Sequence, residues 1–307
     1  MIRFIHPFLS RASICTALLG LHIALALGIL APAPVHAANA EVAPGHSAIG
    51  NYLAGRHAQA EKDLGSAVTF LLAALRVLPE APDLLRRTFV LMTVEGRIEE
   101  ALPLAKRLVS QNAKAPIADL VLLLDVIKNG DVDQQAARLN SQPTNGLNGF
   151  AKPVLEAWSQ VGAGNVDIGL KALLELNGKK ASQRLYDMHR ALILDYAGRA
   201  KEAETVYAKL AKDQEQHSFR FTQLLGNLLE RVGKAEEARA LYDAFARANP
   251  GGMLLMPLYA RLDAGVKPKP IVSTVADGAA EAIFNIANSL RQQRASETAM
   301  VLGRLAL

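Results

Sequence analysis

The sequence predicts an all-α protein, a solenoid of antiparallel helix pairs with a 34-residue period. Three observations support this: the chain is rich in Ala and Leu with only 5% aromatic residues, a glycine-led string recurs, and its recurrences are evenly spaced. The 307 residues carry a formal net charge of +5, far below the dense basic field of a dedicated nucleic-acid-binding protein, so we expect no nucleic-acid partner. A single cysteine excludes a disulfide framework and any CxxC site.

Residues 1–37 are a predicted signal peptide. Arg3 and Arg11 give a basic start, residues 12–31 are almost wholly apolar, and Val35-His36-Ala37 offers small residues for cleavage. A run of about 20 apolar residues is also long enough to cross a bilayer, so an uncleaved inner-membrane anchor facing the periplasm is the alternative. We expect export to the bacterial periplasm, with membrane contact only through residues 12–31 if the signal is not cleaved.

Three similar strings mark the repeat: residues 96–101 (GRIEEA), 198–203 (GRAKEA) and 233–238 (GKAEEA). Each string follows one apolar helical stretch and precedes another. The glycine suits the left-handed backbone that ends a helix, and the acids after it suit the positive end of the next helix. Each string therefore predicts the turn between two paired helices.

These strings define six windows, whose starts lie 34, 34, 34, 34 and 35 residues apart: Ala48, Pro82, Pro116, Phe150, Arg184 and Phe219. A small residue recurs inside the first helix of four windows: Gly55, Ala157, Ala191 and Gly226. Another recurs early in the second helix: Ala67, Ala101, Gly169, Ala203 and Ala238. Small residues at these two positions predict that the paired helices cross closely.

The pattern resembles the tetratricopeptide repeat family, and the chain is similar to its exported bacterial members. Residues 219–252 match best, with Gly226, Gly233, Ala238, Tyr242 and Pro250 all in register. The resemblance implies a right-handed superhelix in which residues 38–252 form six helix pairs. Residues 141–149 depart from it, because they are turn-like where the second helix of the third window should continue.

The remaining residues interrupt the pattern and then resume it. Residues 253–278 predict an irregular helix followed by an extended linker that contains Pro268 and Pro270. Residues 279–307 predict an incomplete seventh helix pair. Because a solenoid normally ends in a polar cap, we expect the 307 residues to be the N-terminal part of a longer protein.

No catalytic motif appears: the chain has no HExxH, no GxSxG and no P-loop. The histidines that follow the signal are scattered, and we expect partly exposed helix residues rather than metal ligands at His46, His57, His189 and His217. We therefore predict that the protein is not an enzyme and has no cofactor and no metal site.

The resemblance also implies a concave groove, lined near the second, fifth, ninth and twelfth residues of each window. These positions are apolar in the middle windows and polar, with several arginines, at the ends; Tyr52, Arg56, Asp83 and Arg86 represent the N-terminal end. Two alternatives are ordinary burial in the core and occupation of the groove by residues 266–277. The candidate partner-binding residues are Leu120, Leu124, Ile127, Val154, Trp158, Leu185, Met188, Leu192, Arg220 and Asn227.

Two functions fit these features. The first is an exported, non-catalytic scaffold that binds a peptide or protein segment in the groove, since an exposed apolar patch marks an interaction site and Trp is a favoured anchor. The second is a periplasmic repeat arm of a larger envelope-assembly, secretion or polymer-export protein, whose active part lies beyond Leu307.

Overall fold

The computed structural model describes residues 43–111, 115–212, 217–251 and 253–307, and the regular structure in these ranges is helical throughout. The predicted signal peptide or anchor, residues 1–37, lies outside the described residues. Within the described ranges, no helix combines the length and the apolar character that a membrane span requires.

Six helix pairs follow one another along the chain. They are α1 (Ala48–Ala60) with α2 (Leu64–Val77), α3 (Pro82–Glu95) with α4 (Ile98–Ser110), α5 (Pro116–Asn129) with α6 (Val132–Ser141), α7 (Asn148–Gly162) with α8 (Val166–Ala172), α9 (Gln183–Tyr196) with α10 (Ala200–Lys212), and α11 (Phe219–Arg231) with α12 (Ala235–Ala248). A 3-10 helix, Leu173–Leu176, continues α8. Four first helices begin at the predicted window starts, and the other two begin one or two residues earlier, so the 34-residue period is confirmed.

The turn inside each pair requires a left-handed residue, because the chain reverses there within a few residues. Five pairs place a glycine at this position, with φ between 75° and 87°: Gly96, Gly130, Gly164, Gly198 and Gly233. The first pair has Lys62 at the equivalent position, with φ of 63°. The backbone requirement is therefore common to all six pairs, although the residue that meets it differs in the first.

Small residues bring the helices of a pair together, as the sequence predicts. A Cβ atom on Gly226 would lie 2.3 Å from the Tyr242 hydroxyl oxygen, and one on Gly169 would lie 2.6 Å from the Ala157 carbonyl oxygen. The alanines early in the second helices are fully buried: Ala67, Ala101, Ala203 and Ala238. Each larger side chain at such a crossing would push the two helices apart.

One 3-10 helix and three α-helices are described after the sixth pair. A 3-10 helix, Met253–Leu255, leads into α13 (Met256–Asp263), and an exposed linker then reaches α14 (Val275–Gln292) and α15 (Ser296–Leu305). α14 begins earlier than the predicted residue 279 because Thr274 and Asp277 form a capping box. Thr274 Oγ1 accepts from the Asp277 backbone N–H at 3.0 Å, and Asp277 Oδ2 accepts from the Thr274 N–H at 2.8 Å.

α14 and α15 form a helical hairpin that does not extend the stack as a seventh pair. α14 packs against α5, α7 and α9, and α15 packs against α3. All four of these are first helices of their pairs. The hairpin therefore turns back and lies along the face that the first helices line. This position buries one face of α14, which includes Ile283 and Ile286.

Candidate functional site

The groove lined by the first helices has two sections. α14 lies over α5, α7 and α9, and both α14 and the linker before it (residues 264–274) are hydrogen-bonded to α11. We call these four first helices the covered section, and α14 with α15 (residues 275–305) the hairpin. α1 and the exposed face of α3 form the open section. The two sections differ in what their side chains contact.

The closest approach in the covered section is between Trp158 of α7 and Gly278 of α14. The Trp158 side chain is fully buried, and a Cβ atom on Gly278 would lie 2.3 Å from its Cδ2 atom. One turn away on α7, a Cβ atom on Gly162 would lie 3.0 Å from Val275 Cγ2. Glycines on both helices therefore allow α14 to cross α7 directly over the indole ring.

Trp158 also holds a buried histidine. Its Nε1 donates to His189 Nδ1 at 3.0 Å, and the His189 side chain is fully buried. Burial lowers the pKa of His189 to about 3, so the imidazole is neutral near pH 7. His57 is exposed as predicted. The prediction of partial exposure is wrong for His189, because α9 packs against α7, α10 and α14.

A charged pair joins α11 to α14. Arg220 Nε donates to Glu281 Oε1 at 2.9 Å, and Arg220 Nη2 donates to the same oxygen. Glu281 is buried while Arg220 remains partly open to solvent. Glu281 Oε2 is buried and has no hydrogen-bond partner among the described residues. Only one carboxylate oxygen of Glu281, Oε1, therefore takes part in the contact that holds α14 to α11.

The linker is held by α11. Asn227 Nδ2 donates to the Lys269 carbonyl oxygen at 2.8 Å, and Arg231 Nε donates to Asn227 Oδ1 at 2.9 Å. Arg231 also pairs with Asp195 of α9, with an Nη2–Oδ1 distance of 2.7 Å. Both alternatives to an open groove are seen in this section: most of its predicted groove residues are buried in the core, and the linker lies against α11. The chain's own cover extends beyond residues 266–277 to α14.

α15 anchors the far end of the hairpin. Arg304 Nε donates to the Val94 carbonyl oxygen of α3 at 2.9 Å, and its guanidinium lies close to Gly96. Leu305 packs against both apolar cores of the chain, one formed by the first pairs and one by the later pairs and α14. The hairpin thus links regions that lie far apart in the sequence.

The ten residues that the sequence singles out all lie along the covered section. Seven are buried: Leu120, Ile127, Val154, Trp158, Met188, Leu192 and Asn227. Leu124, Leu185 and Arg220 are half-buried. The register thus places these side chains along one groove. That they bind a partner stays a prediction.

The open section contains a cavity of ≈ 580 Å³ between α1, α3 and α15. Six of its lining residues occupy the predicted groove positions of the first two windows: Ile49, Tyr52, Gln59, Asp83, Arg86 and Val90. The sequence analysis names Tyr52, Asp83 and Arg86 among them. The same register also indicates Ile49, Gln59 and Val90. Glu297 of α15 also lines the cavity, and no repeat position could have indicated it.

Apolar and basic groups alternate along the open section. Ile49 is 71% exposed beside the buried side chains of Leu84 and Leu91. Arg56 Nη1 donates to the Tyr52 hydroxyl at 3.2 Å, and this hydrogen bond lowers the pKa of Tyr52. Such a surface offers apolar contact together with cationic groups for a ligand, and it presents no paired nucleophile and base.

No metal site is evident in the part of the chain that the structure describes, because no three His, Cys, Asp or Glu side chains there lie close enough together to hold an ion. The buried ionisable groups serve the packing. Glu230, for example, accepts from the Tyr242 hydroxyl at 2.5 Å and from Arg261 Nη2 at 2.7 Å, which fixes α13 against the sixth pair. These contacts hold α11, α12 and α13 together.

The fold and the groove define a class: the described chain is an all-α solenoid of tetratricopeptide-like helix pairs. It is similar to the crystal structure of a tetratricopeptide repeat protein from Parabacteroides merdae, with a TM-score of 0.52 and 17% identity over 85% of this chain and 99% of that chain. A structure of Naa15/Naa10 bound to HypK-THB matches with a TM-score of 0.41 and 16% identity, over 85% of this chain and 41% of that chain.

No protein-family model matches the sequence, and no similar sequence was found among curated proteins. The likeness therefore concerns the fold.

Proposed function

We propose that this chain is an exported, non-catalytic scaffold that binds a segment of another protein in the groove of its helix pairs. The observation that supports this proposal most is that the groove has a covered section and an open section. Its covered section already holds a helical hairpin, while the neighbouring open section leaves apolar and basic side chains accessible in a cavity of ≈ 580 Å³. A concave surface with apolar lining and a few polar groups is the usual form of a binding site.

The partner segment enters at the open section. Ile49 and Tyr52 supply apolar and aromatic contact, and Arg86 supplies positive charge beside them. Aromatic and arginine side chains contribute strongly when a partner covers them. A segment with apolar side chains and at least one carboxylate complements this surface.

Site-specific photo-crosslinking in living cells tests the proposal. A benzoylphenylalanine at Tyr52 lies in the open section, and one at Thr205, which is exposed on α10, is the matched control. We expect a discrete crosslinked protein from position 52 that is absent from position 205 and is lost when Arg86→Glu is added. The same products from both positions, or none from position 52, would contradict the proposal.

Export to the periplasm is part of the proposal, with retention by an uncleaved anchor as its alternative. The basic start, apolar run and small-residue exit of residues 1–37 support it. Intact-mass measurement of the protein from the periplasmic fraction checks it. Cleavage gives a chain that begins at Ala38, an anchor gives full-length protein in the membrane fraction, and protein found only in the cytoplasm contradicts export.

A further inference from the structure

The hairpin occupies the surface on which a groove-binding partner would lie. Its contacts combine three features: a small residue, Gly278, over the Trp158 ring; a carboxylate, Glu281, on Arg220; and a linker carbonyl, that of Lys269, on Asn227. In a helix, residues 278, 281 and 282 lie on one face. The sequence of α14 is therefore an example of a helix that fits this groove.

The hairpin contributes Ile283 and Leu302 to the apolar core, but several features weaken its attachment to the groove. The linker before it is exposed over most of its length, and contains Pro268 and Pro270, which lack a backbone donor. Beneath α14, His189 Nε2 and Glu281 Oε2 are buried without a hydrogen-bond partner among the described residues. Buried polar atoms of this kind weaken the association that covers them.

The six helix pairs also contact one another directly, apart from their contacts with the hairpin. Each pair packs on the next through contacts such as those of α2 with α3 and of α4 with α5. In a solenoid, stability is approximately a sum over neighbouring repeats. These contacts between neighbouring pairs are made without the hairpin.

We propose that the hairpin is an exchangeable ligand of its own groove, and that the partner is an amphipathic helix with the α14 pattern. That pattern is a small residue where the helix crosses Trp158 and a carboxylate three residues later for Arg220. This inference rests on the proposed function, since it names the kind of segment that the scaffold binds. The hairpin then competes with the partner, and the partner must displace it from the covered section.

A labelled peptide of residues 269–307 tests this exchange in trans. The protein is the full chain with Cys15→Ser, so that introduced cysteines are its only thiols, and binding is followed by fluorescence anisotropy. Gly278→Val in the protein weakens the resident hairpin but leaves the peptide intact. Because the fraction of open groove sets the apparent affinity, we expect the peptide to bind this variant roughly tenfold or more tightly than the parent chain.

A disulfide provides the opposite control. A Cβ atom on Gly162 would lie 3.7 Å from Val275 Cβ, within the range for a disulfide. With Gly162→Cys and Val275→Cys oxidised, we expect peptide binding to be lost, and dithiothreitol to restore it. A peptide with Glu281→Lys should not bind any variant. If Gly278→Val unfolds the chain, Arg304→Ala removes one hydrogen bond at the other end of the hairpin and is expected to tighten binding by a smaller factor.

The outcomes are decisive in both directions. Tighter binding by a loosened, helical variant and loss on oxidation support exchange. No binding to either loosened variant while circular dichroism shows native helix content, or binding that oxidation leaves unchanged, overturns it. Crosslinks at position 52 without peptide exchange would defeat this inference alone. Exchange without any cellular crosslink would defeat the proposed function and the partner named here, and would leave only the exchange of the hairpin.

Discussion

Gly278 lies so close to the Trp158 indole that a Cβ atom at position 278 would stand 2.3 Å from its Cδ2 atom. Glycine is therefore the residue that this crossing of α14 over α7 accommodates. Trp158 is the only tryptophan in the chain and is fully buried at this point. The close contact between these two residues holds α14 against α7.

Gly278→Ala is expected to lower the free energy of unfolding by about 1–3 kcal/mol, because the added methyl group overpacks the contact with Trp158. Gly303→Ala is the matched control in α15, where a Cβ atom would meet nothing within 4 Å. At position 303 the substitution is expected to raise the free energy of unfolding by roughly 0.5–1 kcal/mol, because alanine has a higher helix propensity than glycine. Urea denaturation of both variants measures the difference, and equal effects would contradict the described crossing.

The Arg220–Glu281 pair predicts an asymmetry between its two partners. Arg220→Ala leaves the buried Glu281 carboxylate without its cation and is expected to cost about 3–5 kcal/mol. Glu281→Ala leaves a guanidinium that is partly open to water, so it should cost less. Chemical denaturation of the two single variants and the double variant gives both costs and the coupling between them. A larger cost for Glu281→Ala would show that the carboxylate is not buried as described.

His189 predicts a specific dependence of stability on pH. Its pKa is lowered from 6.5 in the unfolded chain to about 3 in the folded one, so only the unfolded chain gains this proton between those values. The stability that the neutral imidazole contributes is therefore complete above pH 6.5 and is lost, by roughly 1.4 kcal/mol per pH unit, as the pH falls toward 3.

His189→Gln keeps an acceptor for the Trp158 N–H but removes the titrating group. We expect the free energy of unfolding of this variant to fall less steeply from pH 7 to pH 5 than that of the parent chain. Urea denaturation at three pH values provides the comparison. Identical slopes for the two proteins would mean that His189 is accessible to protons in the folded state.

The turn in the first helix pair offers a stabilising change. Lys62 adopts φ of 63°, a conformation that costs a residue with a Cβ atom roughly 1–2 kcal/mol. Lys62→Gly is expected to raise the melting temperature, with a gain limited by the greater freedom of glycine in the unfolded chain. Gly130→Ala, at the equivalent turn with open space around it, should lower it. Thermal unfolding followed by circular dichroism tests both, and shifts of the same sign would be inconsistent with the shared backbone requirement.

The repeat could be predicted from the sequence because its signals are local. Turn glycines such as Gly233, small residues such as Ala238 and apolar spacing within each helix act over a few residues, and they located the helix starts to within two residues. The same register singles out Trp158 and Asn227, both of which contact the residues that follow the sixth pair.

The surface against which the hairpin packs could not be predicted from such local signals. The pattern of α14 shows that it has an apolar face but not which surface covers that face. That choice depends on contacts between residues far apart in the chain, such as Glu281 with Arg220 and Arg304 with the Val94 carbonyl. The signal available in the sequence was the small cluster of Gly278, Ala279 and Ala282, which indicates a close approach without identifying the neighbour.

The position of the hairpin in the groove is the central claim, and disulfide formation tests it most directly. In the Cys15→Ser chain with Gly162→Cys and Val275→Cys, mild oxidation should form an intramolecular disulfide nearly completely, seen as a gel shift that dithiothreitol reverses. A control pair, Gly130→Cys with Val275→Cys, has open space around position 130 and should remain reduced. Failure of the 162–275 pair to crosslink in the folded protein would show that α14 does not lie against α7.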